Sequence, residues 1–344
     1  MTDGKSRNVY IDNVKALLII LVVVGHFTDL AVDESEMMKS LFVFIYSFHM
    51  PLFIFVNGLL CKHIVKDRHR VMDKVAVFMA LYVALKGILF FTRTVIGHED
   101  ISFHLFEEDG VPWYLFSTAV FYVVTYLFRN FNKKWLLVLS VVLALLVGYD
   151  PDIGDSFVLS RSIVFYPFFL LGWYIDPEKL SRMTEKIYVK IVCAAAGIVF
   201  ALLCIFRLDL IYPLRPLFTG RNGYKELEEC EPYGLLLRLV CYCISLIMCF
   251  IILGITMHRE IKVFTVIGRR TLAIYFFHRP ILYLLTYSNV LAWLQESAGW
   301  TLGNILWLII AVLLSLMLSA SIFSRVIQFF INFRKTPKPE KLRR

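Results

Sequence analysis

The chain has few charged residues for its length. Of its 344 residues, only 18% are Asp, Glu, Lys or Arg, whereas 59% are hydrophobic. No polar stretch between its apolar runs is long enough for a separate globular domain, which excludes a soluble protein and favours one polytopic membrane domain. We assign residues 1–332 to that domain and residues 333–344 to a basic cytosolic tail.

Other features are scarce or missing. The seven cysteines show neither disulfide nor metal-ligand spacing, so we expect no disulfide framework and no metal site. No internal repeat of roughly 20–50 residues is visible. There is also no inverted pair of Gly- or Pro-broken spans of the kind that many transporters carry. Carboxylates inside the apolar runs are few, which counts against a transporter or exporter that relays protons.

Apolar segments recur along the whole chain, each close to the ~20 residues that cross a bilayer as a helix. The loops between them alternate between a set rich in Lys and Arg and a set rich in Asp and Glu. Basic loops stay in the cytoplasm, so the net charge of +9 reflects topology and not nucleic-acid binding. We predict an all-α protein of the plasma (inner) membrane, with about ten transmembrane helices and both termini cytoplasmic. The predicted spans are 15–32, 41–60, 75–95, 113–129, 135–149, 157–175, 187–207, 234–256, 271–291 and 302–325.

A histidine lies deep in the first span. Residues 16–24 carry no polar side chain, and His26 follows them after one glycine. Ionisable groups at such depth usually serve an ion path, a substrate or a reaction. Lys15 lies 11 residues before His26, which is about 16 Å along a helix. Asp12 precedes Lys15 by three residues on the same helix face, so the two are expected to pair at the cytosolic interface, unless Lys15 simply snorkels there.

Two further histidines lie inside predicted spans. His49 lies at a depth comparable to that of His26, but in a span that crosses in the opposite direction. Pro51 frees a backbone carbonyl near residue 47, which a neighbouring helix or a substrate must satisfy. Tyr275 and His278 lie three residues apart on one helix face. We predict that His26 and His49 meet at mid-membrane depth, where Tyr275 and His278 would line the same cavity.

The predicted cytosolic loops supply cations. Residues 62–70 and the pair Arg269–Arg270 fit the positive-inside pattern, and they would equally suit a cytosolic polyanion. Arg161 lies near the outer end of its span, where snorkelling is the default interpretation. Trp113 is simplest to interpret as part of an interfacial aromatic belt.

By these residues the chain resembles the acyltransferase-3 family of membrane O-acyltransferases, and especially its fucose-4-O-acetylase-like branch. The resemblance implies transfer of an acyl group, usually acetyl from cytosolic acetyl-CoA, to a hydroxyl of a cell-surface sugar, polysaccharide or lipid-linked glycan. The matching stretches cover nearly the full length of the chain and are 11–26, 49–58, 113–115, 167–172 and 268–280.

The resemblance also implies roles for single residues. His26 would be catalytic, as a base or as an acyl carrier. Lys15 is a further catalytic candidate and stands where many members have arginine. Arg68 and Arg70 resemble the Arg-x-Arg element of the family and would face acetyl-CoA. The phosphates of CoA need cytosolic cations, and Arg269 and Arg270 are further candidates to bind them. The chemistry agrees, because neutral imidazole can act as a base or as a nucleophile, while hydrogen-bond donors must stabilise the oxyanion. We expect His49 to assist catalysis, and the remaining candidates for substrate binding are Asp12, Asn57, Trp113, Arg161, Tyr275 and His278.

A transporter or exporter is the rival prediction, with the buried histidines acting as a proton relay. We favour the transferase because the repeats are missing and the cytosolic mouth is cationic. We expect acyl-CoA, a sugar acceptor and the lipid bilayer as partners, with no cofactor other than acetyl-CoA. The acceptor and the oligomeric state stay open at this point.

Overall fold

Most of the described residues lie in helices. The computed structural model describes residues 8–107, 110–150, 153 and 156–332. Within these residues β pairing is limited to an isolated bridge between Glu107 and Ser156, so the predicted all-α class is confirmed. The helices are α1 Val9–Asp29, α2 Glu36–Tyr46, α3 His49–Leu60, α4 Arg68–Phe91, α5 Trp113–Leu127, α6 Lys133–Leu146, α7 Leu159–Tyr174, α8 Pro177–Glu185, α9 Ile187–Phe206, α10 Leu208–Ile211, α11 Arg215–Phe218, α12 Gly234–Ile255, α13 Lys262–Arg269, α14 Thr271–Tyr287, α15 Val290–Ala298, α16 Trp300–Leu318 and α17 Ser321–Asn332, with 3₁₀ turns at Val32–Glu34, Val147–Tyr149, Tyr212–Leu214 and Tyr224–Tyr233 and a π turn at Thr92–Ile96.

Six helical segments in the described residues are long and apolar enough to cross a membrane. They are Val9–Asp29, Glu36–Leu60, Arg68–Ile96, Ile187–Phe206, Tyr224–Ile255 and Trp300–Leu318. The other four predicted spans fall on α5, α6, α7 and α14, which have 14 to 17 residues each. The chain is therefore a multi-pass membrane protein, while the count of ten and the cytoplasmic termini stay predictions. The proposed tail, 333–344, lies outside the described residues.

Polar side chains at the helix starts explain where the helices begin. Asn8 accepts the backbone N–H of Ile11 at the start of α1, and Asp67 accepts that of His69 at the start of α4. Such caps satisfy backbone donors that have no partner inside the helix. Because of its cap, α4 begins well before the predicted span at 75–95, and Arg68 and Arg70 lie in its first turn.

The first helix lies at the centre of the protein. Most residues of α1 are buried, and α1 packs against α2, α3, α13, α14 and α16. The helix α9 lies at the periphery, with many apolar side chains exposed, as expected of a lipid-facing surface. A second close packing joins α3 and α7. A Cβ atom added to Gly58 would lie 2.0 Å from the carbonyl oxygen of Phe169, and one added to Gly172 would lie 1.9 Å from that of Phe55.

Candidate active site

The second predicted span is broken in its middle. Helix α2 ends at Tyr46 and α3 begins at His49, with Pro51 in the first turn of α3. Proline has no N–H for the carbonyl of Ser47, four residues earlier. The hydroxyl of Ser245 in α12 donates to that carbonyl over 2.6 Å. The prediction that a neighbouring helix satisfies this freed carbonyl is thus confirmed. The break also places His49 at the start of a helix inside the protein.

His26 lies in the last two turns of α1, where α2 comes close. A Cβ atom on the adjacent Gly25 would lie 3.3 Å from side-chain atoms of both Ile45 and Tyr46. Glycine therefore lets the end of α2 approach α1 beside His26. The ring of Tyr46 in turn lies against His49, with ring centroids 4.6 Å apart.

Backbone carbonyls orient two of the buried histidines. Nδ1 of His49 lies 2.9 Å from the carbonyl oxygen of Ile45, and Nδ1 of His278 lies 2.7 Å from that of Tyr275. Since a carbonyl only accepts, we assign the proton to Nδ1 in both rings, which leaves Nε2 as the basic nitrogen. Nε2 of His278 is buried and has no hydrogen-bond partner in the described residues. His278 stacks on His26, with ring centroids 5.3 Å apart.

His26 and His49 line one cavity of about 390 Å³. Three other predicted site residues, Trp113, Arg161 and Tyr275, line the same cavity. Val22, Phe42 and Met50 give it an apolar wall. The polar lining that sequence reasoning did not name comprises Asp29, Tyr46, Arg215, Thr219, Arg221, Asn222, Glu226 and Arg279.

Arg161 is buried, so the snorkelling interpretation is wrong. Its side chain is 7% exposed and its guanidinium lies over the ring of Trp113, 5.2 Å from the centroid. Trp113 is itself buried and stacks on Phe165, whose ring centroid is 5.3 Å away. The default interpretations assumed lipid headgroups around both residues. The structure instead places both in the cavity wall.

Asn57 and Tyr275 have their polar groups engaged elsewhere. The amide of Asn57 donates to Tyr114 and Thr118 over 3.3 and 3.4 Å, and it accepts from Tyr122 over 3.1 Å. Asn57 therefore links α3 to α5 and does not line the cavity. The hydroxyl of Tyr275 donates to the carbonyl of Val111. Its ring lines the cavity and touches Tyr114, with ring centroids 5.3 Å apart.

The other end of α1 carries an ion cluster. Nζ of Lys15 lies 3.0 Å from one carboxylate oxygen of Asp12, and Nε of Arg269 lies 3.6 Å from the other. The predicted Asp12–Lys15 pair is confirmed. Gly268 makes the cluster possible, because a Cβ atom there would lie 1.9 Å from the carbonyl oxygen of Asp12. Lys15 thus contacts Asp12 and not the cavity of His26.

The remaining predicted cations lie apart from the cavity. Arg68 and Arg70 are exposed at the start of α4, and Nε of Arg70 is 3.6 Å from a carboxylate oxygen of Asp67. Arg270 donates to the carbonyl of Ser319. None of these arginines lines the cavity of His26. The described residues also contain no group of three or more side chains suited to hold a metal ion.

Two of the missed residues carried a sequence signal. Arg279 follows His278 inside a predicted span, and Asp29 lies near the end of the first span, so the rule for charges inside membranes applied to both. Arg215, Arg221 and Glu226 come from the long connection between α10 and α12, which carries no motif and which sequence alone predicts as a loop. Only the fold brings that loop over the cavity.

Comparison with known proteins gives one family and two relatives. A family model described as an acyltransferase domain (acyltransferase-3) matches residues 8–324. The nodulation protein NolL of Sinorhizobium fredii is 27% identical over 213 residues, which cover 56% of this chain and 57% of the relative. NolL of Mesorhizobium japonicum is 24% identical over 181 residues, or 49% of this chain and 48% of the relative.

These relatives are matched over about half of their own length. No solved structure matches the chain. The family match, in contrast, runs from the residue before α1 into α17 and includes every residue described above as lining the cavity. On that match, the chain belongs to the acyltransferase-3 family of membrane acyltransferases.

Proposed function

We propose that the protein is a membrane O-acetyltransferase. It moves an acetyl group from cytosolic acetyl-CoA to a hydroxyl of a cell-surface sugar, polysaccharide or lipid-linked glycan, and it resides in the plasma (inner) membrane. The family supports acyl transfer in general. The observation that carries the proposal is the cavity in which His26 and His49 face the same space, with His278 stacked behind His26.

His26 acts in this proposal as a base or as an acyl carrier. As a base, its imidazole takes the proton of the acceptor hydroxyl while the hydroxyl oxygen attacks the thioester carbonyl. The tetrahedral oxyanion then collapses and expels the CoA thiolate, which takes up a proton. As a carrier, the imidazole nitrogen attacks first, releases CoA, and passes the acetyl group to the hydroxyl. The apolar wall of Val22, Phe42 and Met50 suits the acetyl methyl group.

The oxyanion needs a donor that faces the cavity. Asn57 and Tyr275, two of the sequence candidates, direct their donors to Tyr114, Thr118 and Val111. His49 donates from Nδ1 to a backbone carbonyl. A guanidinium has five N–H donors, so Arg161 in the cavity wall is the better candidate. His278 then orients His26, with the ring of Tyr275 against His278, and Trp113 holds Arg161.

The donor's phosphates belong, in this proposal, at the other end of α1. Arg68, Arg70 and Arg270 join Lys15 and Arg269 as the cations of the predicted cytosolic face. Asp12 positions Lys15 and Arg269 through its two ion pairs. The acetyl end of the donor would then reach toward His26, about 16 Å further along α1.

Replacement of His26 by glutamine tests the function. Glutamine keeps hydrogen bonding and similar size but cannot act as a base, so we expect turnover to fall by the ~10²–10⁴-fold typical of a lost general base. The assay is transfer of radiolabelled acetyl from acetyl-CoA to a glycan panel by purified protein. Detergent-solubilised variants must show an unchanged thermal midpoint.

His258→Gln is the matched control. His258 is half-buried, stacks on Tyr10 at 4.0 Å, and hydrogen-bonds to the carbonyl of Ser181 outside the cavity. Its variant should keep transfer. If His26→Gln kept near-full transfer and His49→Gln lost it, then His49 would be the base or acyl carrier and His26 the assisting residue. Solute flux across vesicles without any acetyl transfer would favour the proton-relay transporter instead.

A further inference from the structure

A second cavity adjoins the cavity of His26. It has a volume of about 490 Å³ and shares Gly110, Val111, Arg221 and Arg279 with the first. Arg279 therefore lies at the junction of the two. It directly follows His278, the residue that stacks on His26, so this junction lies beside the candidate catalytic imidazole.

The guanidinium of Arg279 lies against an aromatic ring. Its Cζ atom is over the ring of Tyr283, one helical turn further along α14, 4.8 Å from the centroid. Its Nε and Nη1 atoms are buried and have no hydrogen-bond partner in the described residues. Stacking occupies the face of a guanidinium and leaves its N–H edge for a ligand. That edge is what binds a phosphate or a carboxylate through two parallel hydrogen bonds.

Among the described residues, the charge around this junction is positive. Each cavity is lined in that part of the chain by four Lys or Arg side chains and two carboxylates. Arg215 is neutralised by Asp29 over 3.1 Å, and Arg93 by Glu99 over 2.7 Å. Among the described residues, no carboxylate forms an ion pair with Arg279. Arg279 is half-buried as a residue, but its Nε and Nη1 atoms are buried inside a predicted span. Ionisable residues in such positions usually mark a binding site.

We propose that Arg279 binds an anionic group, a phosphate or a carboxylate, on the acceptor. The hydroxyl that is acetylated then belongs to a charged glycan, with the rest of that glycan in the second cavity. This inference rests on the proposed function. It assigns the anion to the acceptor and not to CoA because Arg279 and Asp29 line a cavity at the end of α1 opposite to Asp12, about 26 Å away along the helix.

Binding of sugar phosphate without turnover tests the inference. The probes are glucose 1-phosphate and glucose, added at matched ionic strength to the full-length protein in detergent, with the thermal midpoint as readout. We expect a saturable rise in midpoint with glucose 1-phosphate and none with glucose. Arg279→Gln should weaken that binding roughly tenfold to a hundredfold, the range for a lost hydrogen bond to a charged group. Arg279→Lys keeps the charge but loses the paired N–H donors, so its affinity for glucose 1-phosphate should lie between that of the natural chain and that of Arg279→Gln.

Two variants separate this inference from the proposed function. Arg207→Gln removes an exposed arginine that pairs with Asp209, and it should bind glucose 1-phosphate like the natural chain. His26→Gln should bind it fully while failing in transfer. Equal binding by Arg279→Gln, or no saturable effect on the natural chain, would overturn the inference. The inference would also be overturned if Arg279→Gln lost the stabilisation that CoA gives to the natural chain, because Arg279 would then bind a phosphate of the acyl donor.

Discussion

The two ends of α1 are built on different principles. At its start, Asp12 has two cations as partners, and its own side chain is 4% exposed. Near its end, His26 faces a cavity, and the adjoining Arg279 and His278 keep buried nitrogen atoms without partners in the described residues. Both ends contain ionisable groups that sequence reasoning treated alike.

The difference teaches which of these groups hold the helix in place and which are available for chemistry. Where a buried charge has partners within ion-pair distance, those partners hold the packing together. Removing one partner leaves the other charge uncompensated and destabilises the fold. A buried nitrogen atom without a hydrogen-bond partner destabilises the fold, and a substrate that hydrogen-bonds to it can offset that loss. By this criterion the start of α1 holds the helix in position, and its end is the place that suits the proposed reaction.

Gly268→Ala should give the largest effect on stability. The added methyl carbon would lie 1.9 Å from the backbone carbonyl oxygen of Asp12. A side chain could rotate to relieve this clash, but the backbone of α1 cannot. We expect a loss above the ~1–3 kcal/mol typical of overpacked cores, because α1 and α13 must separate and Arg269 then leaves Asp12. The thermal midpoint in detergent measures this. An unchanged midpoint would show that the start of α1 does not depend on close packing.

Asp12→Asn should give an intermediate effect. It keeps the size of the side chain but removes the carboxylate that lies between Lys15 and Arg269. We expect a loss of about 2–3 kcal/mol, below the ~3–5 kcal/mol of fully buried pairs, because Arg269 is 46% exposed. Denaturant or thermal unfolding reports it. Full stability combined with loss of transfer would mean that Asp12 acts in chemistry, and the contrast between the two ends would fail.

Gly25→Ala should give the smallest effect on stability, within about 1 kcal/mol. Its Cβ atom would lie 3.3 Å from side-chain atoms of Ile45 and Tyr46, which can shift, and alanine favours helix over glycine by up to ~1 kcal/mol. Because Tyr46 lines the cavity, we expect KM for the acceptor to rise while the thermal midpoint stays. Destabilisation as large as that of Gly268→Ala would erase the proposed difference between the two ends.

Much of the fold could be predicted from sequence. Every predicted span falls on helix in the described residues, because backbone polar groups in lipid must bond within the segment. The break before His49 was signalled by Pro51, although its partner Ser245 was not. The burial of Arg161 was missed, because the end of an apolar run looks the same whether lipid headgroups or a neighbouring loop cover it.

The sequence by itself determined where the ionisable groups lie along their helices. An apolar run fixes the helix that carries Lys15 and His26, and the rise per residue fixes the distance between them. Only the tertiary structure decided which of those groups are paired. Asp12 meets Arg269, and His26 meets His278, across more than two hundred residues of chain. Pairing acts over a few ångströms between atoms that the sequence holds far apart, so it depends on helix packing and on loops such as 215–226 that no motif marks.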